Sequence, residues 1–184
     1  HRFGSEEVLS QALECIRTGD AAGLWDMLLA ERPALRWIDP GPTSPVSVLA
    51  PLPGVCAVFN HESEALSALG QMRVLTALRE GSWGALGIAD GLREAFAGGD
   101  LMGDCYAPGE PVMVLRNAPR LGLINGDVGV AWSSPTGWGV WFEKSPGERL
   151  WVDAAELPAH QSARAMTVHK AQGSEFDRVA VVMA

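Results

Sequence analysis

The feature that most constrains the fold is a polar segment followed by an apolar run near the end of the chain. Residues 179–183 form a nearly continuous apolar run, Val-Ala-Val-Val-Met, which predicts a buried strand. The polar segment begins at Thr167, and Gly173 lies where the chain must turn sharply before the strand. Hydroxyl, cation and carboxylate groups therefore fall on a loop that leads into a central strand. In open α/β sheets, ligands bind at the edge formed by such loops.

The first hundred residues carry the signals of an α/β domain. Apolar spacing and capping residues predict helices at residues 5–19, 20–30, 63–72 and 85–97, and a strand at residues 73–78. Six prolines between Pro33 and Pro53 predict an irregular connection, which we extend over residues 33–62. The order of strand, loop and helix after residue 73 is typical of an α/β domain.

The pattern changes at Ala107, where short β-type runs alternate with turn signals. The runs cover residues 111–116, 127–133, 139–143 and 149–152, and Asn125-Gly126 is a strong hairpin signal. Four or five strands in such a short segment predict a small barrel at residues 107–160. The α/β domain is therefore expected in two parts, residues 1–106 and 161–184. The aromatic side chains of this segment can stack on nucleic-acid bases, but we expect most to fill the core: Trp132, Trp138, Trp141, Phe142 and Trp151.

Composition excludes several classes of protein. The formal net charge of −8 argues against a broad basic face for nucleic acid, so any contact must be local. No run approaches the roughly 20 apolar residues of a membrane span, and we expect no membrane partner. The three cysteines, Cys15, Cys56 and Cys105, are too widely spaced to indicate a zinc site or a disulfide framework. This pattern favours a reducing, cytoplasmic setting and predicts no bound metal in this chain.

Ten consecutive residues, Thr167 to Phe176 (Thr-Val-His-Lys-Ala-Gln-Gly-Ser-Glu-Phe), resemble motif V of superfamily one DNA helicases. The form is that of RecD-like helicases, the alpha subunits of exodeoxyribonuclease V. His1-Arg2-Phe3-Gly4 resembles motif IV, and residues 78–84 resemble a segment of the second motor domain in that family. The resemblance spans the chain but is thin between residues 19 and 64. It implies a RecA-like second motor domain (2A) of the P-loop NTPase type, with an inserted SH3-like β-barrel (2B).

The resemblance also implies nucleotide-binding roles, with ATP and Mg²⁺ as cofactors of the parent protein. Glu175 would accept hydrogen bonds from the ribose hydroxyls of ATP, or is simply a solvated loop carboxylate. Gly173 and Gln172 would lie beside the nucleotide, and many relatives carry Lys where this chain has Gln172. Arg2 would reach the γ-phosphate as a catalytic arginine, or is a surface residue beside a helix start.

A second set of residues is implied to bind single-stranded DNA. Thr167, His169 and Lys170 offer a hydroxyl, an imidazole and an ammonium group suited to backbone phosphates, although a structural role for His169 stays open. Arg79 would contact DNA or nucleotide, or form an ion pair with Glu80 that stabilises its loop.

The resemblance implies part of an ATP-dependent 5′ to 3′ DNA helicase that acts in double-strand break repair and recombination with RecB-like and RecC-like subunits. No G-x-x-x-x-G-K-[ST] phosphate loop occurs in the sequence, so we expect this chain alone not to hydrolyse ATP. Two alternatives stay open at this point. One is another RecD-like or conjugative relaxase-type helicase, and the other is a non-catalytic module whose SH3-like barrel binds protein.

Overall fold

A computed structural model of the chain describes residues 2–30, 32, 34–39, 41, 43–96, 106–135 and 137–183; the side chains of residues 2–5 and 96 are not included. The helices are α1 (Arg2–Thr18), α2 (Ala21–Leu29), α3 (Pro45–Leu49), α4 (Glu62–Ala68) and α5 (Ala85–Phe96). The strands are β1 (Met72–Thr76), β2 (Pro111–Val114), β3 (Val128–Ser134), β4 (Gly137–Ser145), β5 (Glu148–Asp153), β6 (His160–Ser162), β7 (Ala165–Thr167) and β8 (Arg178–Val182). The chain divides into two units, His1–Pro42 and Thr43–Ala184.

The first unit contains the two helices predicted at the start of the chain. Asp20 caps α2, because its side chain accepts a hydrogen bond from the Gly23 amide at 2.9 Å, as the sequence predicted. Trp25 meets Trp37 edge to face with ring centroids 5.2 Å apart.

A three-stranded parallel sheet organises the second unit. β1 lies in the middle and pairs with β7 on one side and β8 on the other, so residues from both sides of segment 107–160 join one sheet. Helix α5 packs against this sheet through Ile88 and Leu92, which are fully buried beside Val74 and Ala165. The sheet and its helix confirm the α/β class and place the ends of β1 and β7 side by side.

The prediction of a buried central strand for residues 179–183 is wrong. β8 is an edge strand of the sheet, and Val179 and Val181 are 44% and 58% exposed. The strand is hydrogen-bonded to β1 alone, and no described element covers the face that these two valines share. Its apolar run is therefore half-buried, with Val182 on the covered face.

The segment that follows forms a five-stranded antiparallel sheet in the order β5-β4-β3-β2-β6. β5 and β6 lie at opposite edges and do not pair within the described residues, so closure into a barrel is not observed. β6 begins at His160, across the predicted boundary at residues 160 and 161. Phe142 is buried in the core of this sheet, while Trp138 packs on Tyr106 and Trp141 packs on Trp151. The RecA-like and SH3-like assignments stay predictions.

Two helix predictions need correction. The connection predicted to be irregular contains α3, because Pro45 occupies its first turn and the Ser44 side chain accepts a hydrogen bond from the Val46 amide at 3.3 Å. The helix predicted at residues 63–72 ends early, at Ala68, since Met72 already starts β1. None of the described helices is long and apolar enough to cross a membrane.

Candidate nucleic-acid interface

The loops that carry the predicted DNA contacts leave the same edge of the parallel sheet. Thr76, at the end of β1, is in register with Thr167, at the end of β7. The chain continues from Thr167 into a short 3-10 helix, Val168–Ala171, in which His169 and Lys170 are exposed. Thr167 itself is half-buried. The carboxyl edge of the sheet therefore presents these three side chains next to the loop that follows β1.

The loop after β1 is held in one conformation by its own hydrogen bonds. The Thr76 hydroxyl donates to the Trp83 carbonyl at 2.9 Å, and the Leu86 amide donates to the Arg79 carbonyl at 3.0 Å. A Cβ on Gly84 would lie 2.2 Å from the Glu80 carbonyl oxygen, so the loop closes tightly enough to require glycine there. The backbone of Arg79 is thus fixed against the start of α5.

Arg79 and Lys170 come from separate loops and lie within electrostatic range of each other. Partial desolvation, and secondarily the positive charge of Arg79, lower the pKa of Lys170 below its ordinary value. In the described part of the chain, no ion pair within 4 Å neutralises either cation, and the alternative pairing of Arg79 with Glu80 is not formed. Two like charges held together without a carboxylate favour an anionic ligand.

Three of the predicted nucleotide residues, Gln172, Gly173 and Glu175, lie on the loop that follows the 3-10 helix. Gly173 turns the chain with φ of +83°, and the Ser174 amide then donates to the Ala171 carbonyl at 3.0 Å. The loop runs back to the amino end of β1, where the Asp177 amide donates to the Gly70 carbonyl at 2.9 Å. Exposed Gln172 begins this return loop, and exposed Glu175 lies on it.

Arg2 begins α1 in the first unit, and its side chain lies outside the described residues. Its proposed contact with a γ-phosphate stays a prediction. Within the residues that the structure covers, no three His, Cys, Asp or Glu side chains gather as a metal site.

A crevice that sequence reasoning missed adjoins Lys170. It has a volume of about 290 Å³ and lies between the parallel sheet and the antiparallel sheet; Arg73, Met113, Gly126, Lys170, Ser174 and Phe176 are among its lining residues. Arg73 is 4% exposed and donates hydrogen bonds to the carbonyls of Ala163 (2.7 Å) and Leu69 (2.8 Å). The sequence did carry a signal for Arg73, because an arginine within the mainly apolar strand Met-Arg-Val-Leu-Thr requires buried partners.

A buried carboxylate connects the strands around this site. Glu110 is fully buried and accepts hydrogen bonds from the Ser162 hydroxyl at 2.7 Å and the Ala107 amide at 3.1 Å. Its Oε1 also lies 3.6 Å from Nε of Arg164, which directly precedes β7. The Glu110 side chain thus ties β6 and the start of β7 to the beginning of β2.

Together the fold and the site define an α/β protein in which Arg79 and Lys170 lie on loops at the carboxyl edge of the parallel sheet. Compared with curated proteins, the whole chain is 31% identical, over 191 aligned positions, to "RecBCD enzyme subunit RecD" of Mycolicibacterium smegmatis, and covers 33% of that protein. It is 30% identical over its whole length to the RecD subunit of Mycobacterium tuberculosis, covering 32% of it. The RecD subunit of Haemophilus influenzae is 34% identical over 61% of the chain. No family model matches.

The chain is therefore a homologue of RecD, related to it along its whole length. It spans about a third of the length of the mycobacterial relatives.

Proposed function

We propose that this chain is part of a RecD-like DNA helicase, in which it forms a RecA-like second motor domain with an SH3-like insertion. The observation that carries the proposal is the relation to RecD over the full length of the chain. In the parent protein, its function is to hold single-stranded DNA at the carboxyl edge of the parallel sheet. Two thirds of the RecD length lies outside this chain, so the activity of the whole belongs to the parent.

The arrangement of Arg79, Thr167 and Lys170 supports the DNA contact. Two cations and a hydroxyl from neighbouring strand ends can bind successive backbone phosphates without reading the bases. Neighbouring His169 adds a further donor on the same short helix. The net charge of −8 repels DNA elsewhere on the surface, so the chain alone should bind weakly and lose affinity steeply as salt rises.

The nucleotide role is proposed for the return loop and for Arg2. Glu175 is an exposed carboxylate that fits ribose hydroxyls, and Gln172 and Gly173 lie close to it in the sequence. For Arg2, a contact with the γ-phosphate is proposed only from the resemblance of His1-Arg2-Phe3-Gly4 to motif IV. ATP and Mg²⁺ would then be held mainly by parts of the parent that this sequence does not contain. The parent would move 5′ to 3′ with RecB-like and RecC-like subunits in cytoplasmic break repair and recombination.

The DNA contact is tested with the 184-residue chain and a fluorescein-labelled oligothymidine, by anisotropy over a range of salt concentrations. We expect Lys170→Ala and Arg79→Ala each to lower the slope of log K against log salt by about 0.7, the value for one phosphate on a single strand. Arg17→Ala is the matched control, since it removes the same charge from exposed α1 and should leave the slope unchanged.

If Lys170→Ala and Arg79→Ala had the same slope of log K against log salt as Arg17→Ala, the proposed DNA contact would be contradicted. Ordinary ATP turnover by the 184-residue chain would contradict the second part of the proposal, namely that the nucleotide site is completed by the rest of the parent protein. Both measurements need only the chain as it stands.

A further inference from the structure

The crevice beside Lys170 has the form of a small binding site built by both sheets of the second unit. One wall comes from the parallel sheet and its loops, through Arg73, Lys170 and Ser174, and the other from the antiparallel sheet, through Met113 and Gly126. Its volume of about 290 Å³ is far above the ~10–15 Å³ that one water molecule requires, so the crevice has room for a larger group. Lys170, Ser174 and Gly126 are exposed, so the crevice opens to solvent on their side.

The polar lining of the crevice favours an anion. Arg73 is buried, its Nε makes no hydrogen bond within the described residues, and no carboxylate pairs with it there within 4 Å. Burial lowers the pKa of Arg73 to about 10, which reflects the cost of a cation held away from water. Lys170 adds a second cation and Ser174 a hydroxyl, and none of the described lining residues is acidic. A phosphate at this position would offset the cost of the buried charge.

The remaining lining is apolar and aromatic. Phe176 lies with its ring 5.1 Å from the guanidinium carbon of Arg73, so this cation stacks on one face of the ring. Met113 and Met166 line the same space with flexible thioether side chains, which adapt to ligands of varied shape. A purely anionic ligand needs no such surface, whereas a nucleotide presents a phosphate together with a base whose flat face can stack on it.

We propose that this crevice holds one nucleotide of single-stranded DNA, with its phosphate on Lys170 and Ser174 and its sugar and base against Phe176 and the methionines. The proposal rests on the proposed function, because Lys170 also belongs to the DNA-binding edge. It adds Arg73, Ser174, Phe176 and the turn at Gly126 to that edge. The antiparallel sheet thereby contributes one wall of the DNA site. Single-stranded DNA is favoured over free ATP as the ligand because Glu175, the residue predicted to contact the ribose of ATP, does not line the crevice.

The test is an NMR titration of the ¹⁵N-labelled 184-residue chain with oligothymidine and, separately, with ATP. Oligothymidine should shift the amide signals of Gly126 and Ser174, and ATP should not. Ser174→Trp, which fills the mouth of the crevice from an exposed position, should weaken oligothymidine binding about tenfold, the lower end of losing a hydrogen bond to a charged group. Ser67→Trp is the matched control, since Ser67 is exposed on α4 and does not line the crevice.

The outcomes separate this inference from the proposed function. The crevice proposal alone is overturned if oligothymidine binding depends on Arg79 and Lys170 but does not shift the amide signals of Gly126 and Ser174. In that case Ser174→Trp would also bind oligothymidine as tightly as wild type. Shifts at these amides with ATP and not with oligothymidine overturn it in favour of a nucleotide site. No oligothymidine binding by the folded chain at low salt overturns both proposals. Unchanged signals from Val74 in the variants show that the parallel sheet is intact.

Discussion

Replacing Glu110 by alanine tests the joint between the two sheets of the second unit. The carboxylate is fully buried, and it faces the Ser162 hydroxyl at 2.7 Å and the Arg164 guanidinium at 3.6 Å. Losing a hydrogen bond to a charged group costs about 1.5–3 kcal/mol. Removing one partner of a buried ion pair costs about 3–5 kcal/mol, because the remaining charge stays buried. Both losses act through one carboxylate and overlap, so the free energy of unfolding should fall by about 3–5 kcal/mol.

Urea denaturation followed by tryptophan fluorescence measures this change, since Trp138 and Trp141 lie in the antiparallel sheet. Glu110→Gln keeps the shape and the ability to accept hydrogen bonds but removes the charge, so its loss should fall between wild type and Glu110→Ala. Glu156→Ala removes an exposed carboxylate and should stay within about 0.5 kcal/mol of wild type. If Glu110→Ala lowered the free energy of unfolding by less than about 1 kcal/mol, the claim that Glu110 holds the two sheets together would be refuted, because an average substitution costs as much.

Two further predictions concern the loop after β1. Gly84→Ala places a Cβ 2.2 Å from the Glu80 carbonyl oxygen, and should cost about 1–3 kcal/mol of unfolding free energy and weaken oligothymidine binding. Gly70→Ala has open space for its Cβ and should leave the free energy of unfolding unchanged. Equal stability of the two variants would contradict the tight loop. Arg79→Ala should raise the pKa of Lys170 only part of the way to its ordinary value, because desolvation is the larger cause of the lowered pKa. NMR titration of the Lys170 side chain measures this pKa. An unchanged pKa would contradict the proximity of Arg79 and Lys170.

Elements specified by local signals could be predicted from the sequence. Strand β1, helix α5 and four strands of the antiparallel sheet lie within a few residues of their predicted positions, because hydrophobic spacing and turn glycines act over short distances. Gly126 adopts a positive φ at the predicted Asn125-Gly126 turn. The proximity of Arg79 and Lys170 also follows from sequence once both are placed at the carboxyl ends of neighbouring parallel strands.

Features that depend on neighbouring elements could not be predicted. The apolar run of β8 looks the same whether a strand is covered on one face or on two, and only the sheet order reveals that β8 lies at an edge. Arg73 gave a local signal, but its partners at Leu69 and Ala163 are fixed by tertiary structure. The crevice was missed for the same reason, since its lining comes from three stretches, residues 69–73, 113–128 and 166–176, that only the tertiary structure brings together.

The short connection between β6 and β7 couples the two sheets of the second unit. Only Ala163 and Arg164 separate the last strand of the antiparallel sheet from the strand that ends at Thr167. Both residues are buried, the Ala163 carbonyl accepts from Arg73 and Arg164 faces Glu110, so this connection has little freedom to bend. A force on DNA held at Lys170, as proposed above, would therefore be transmitted through β7 to the antiparallel sheet. The insertion and the DNA-binding edge should consequently move as one body, with Glu110 and Arg73 as the side chains that hold them in register.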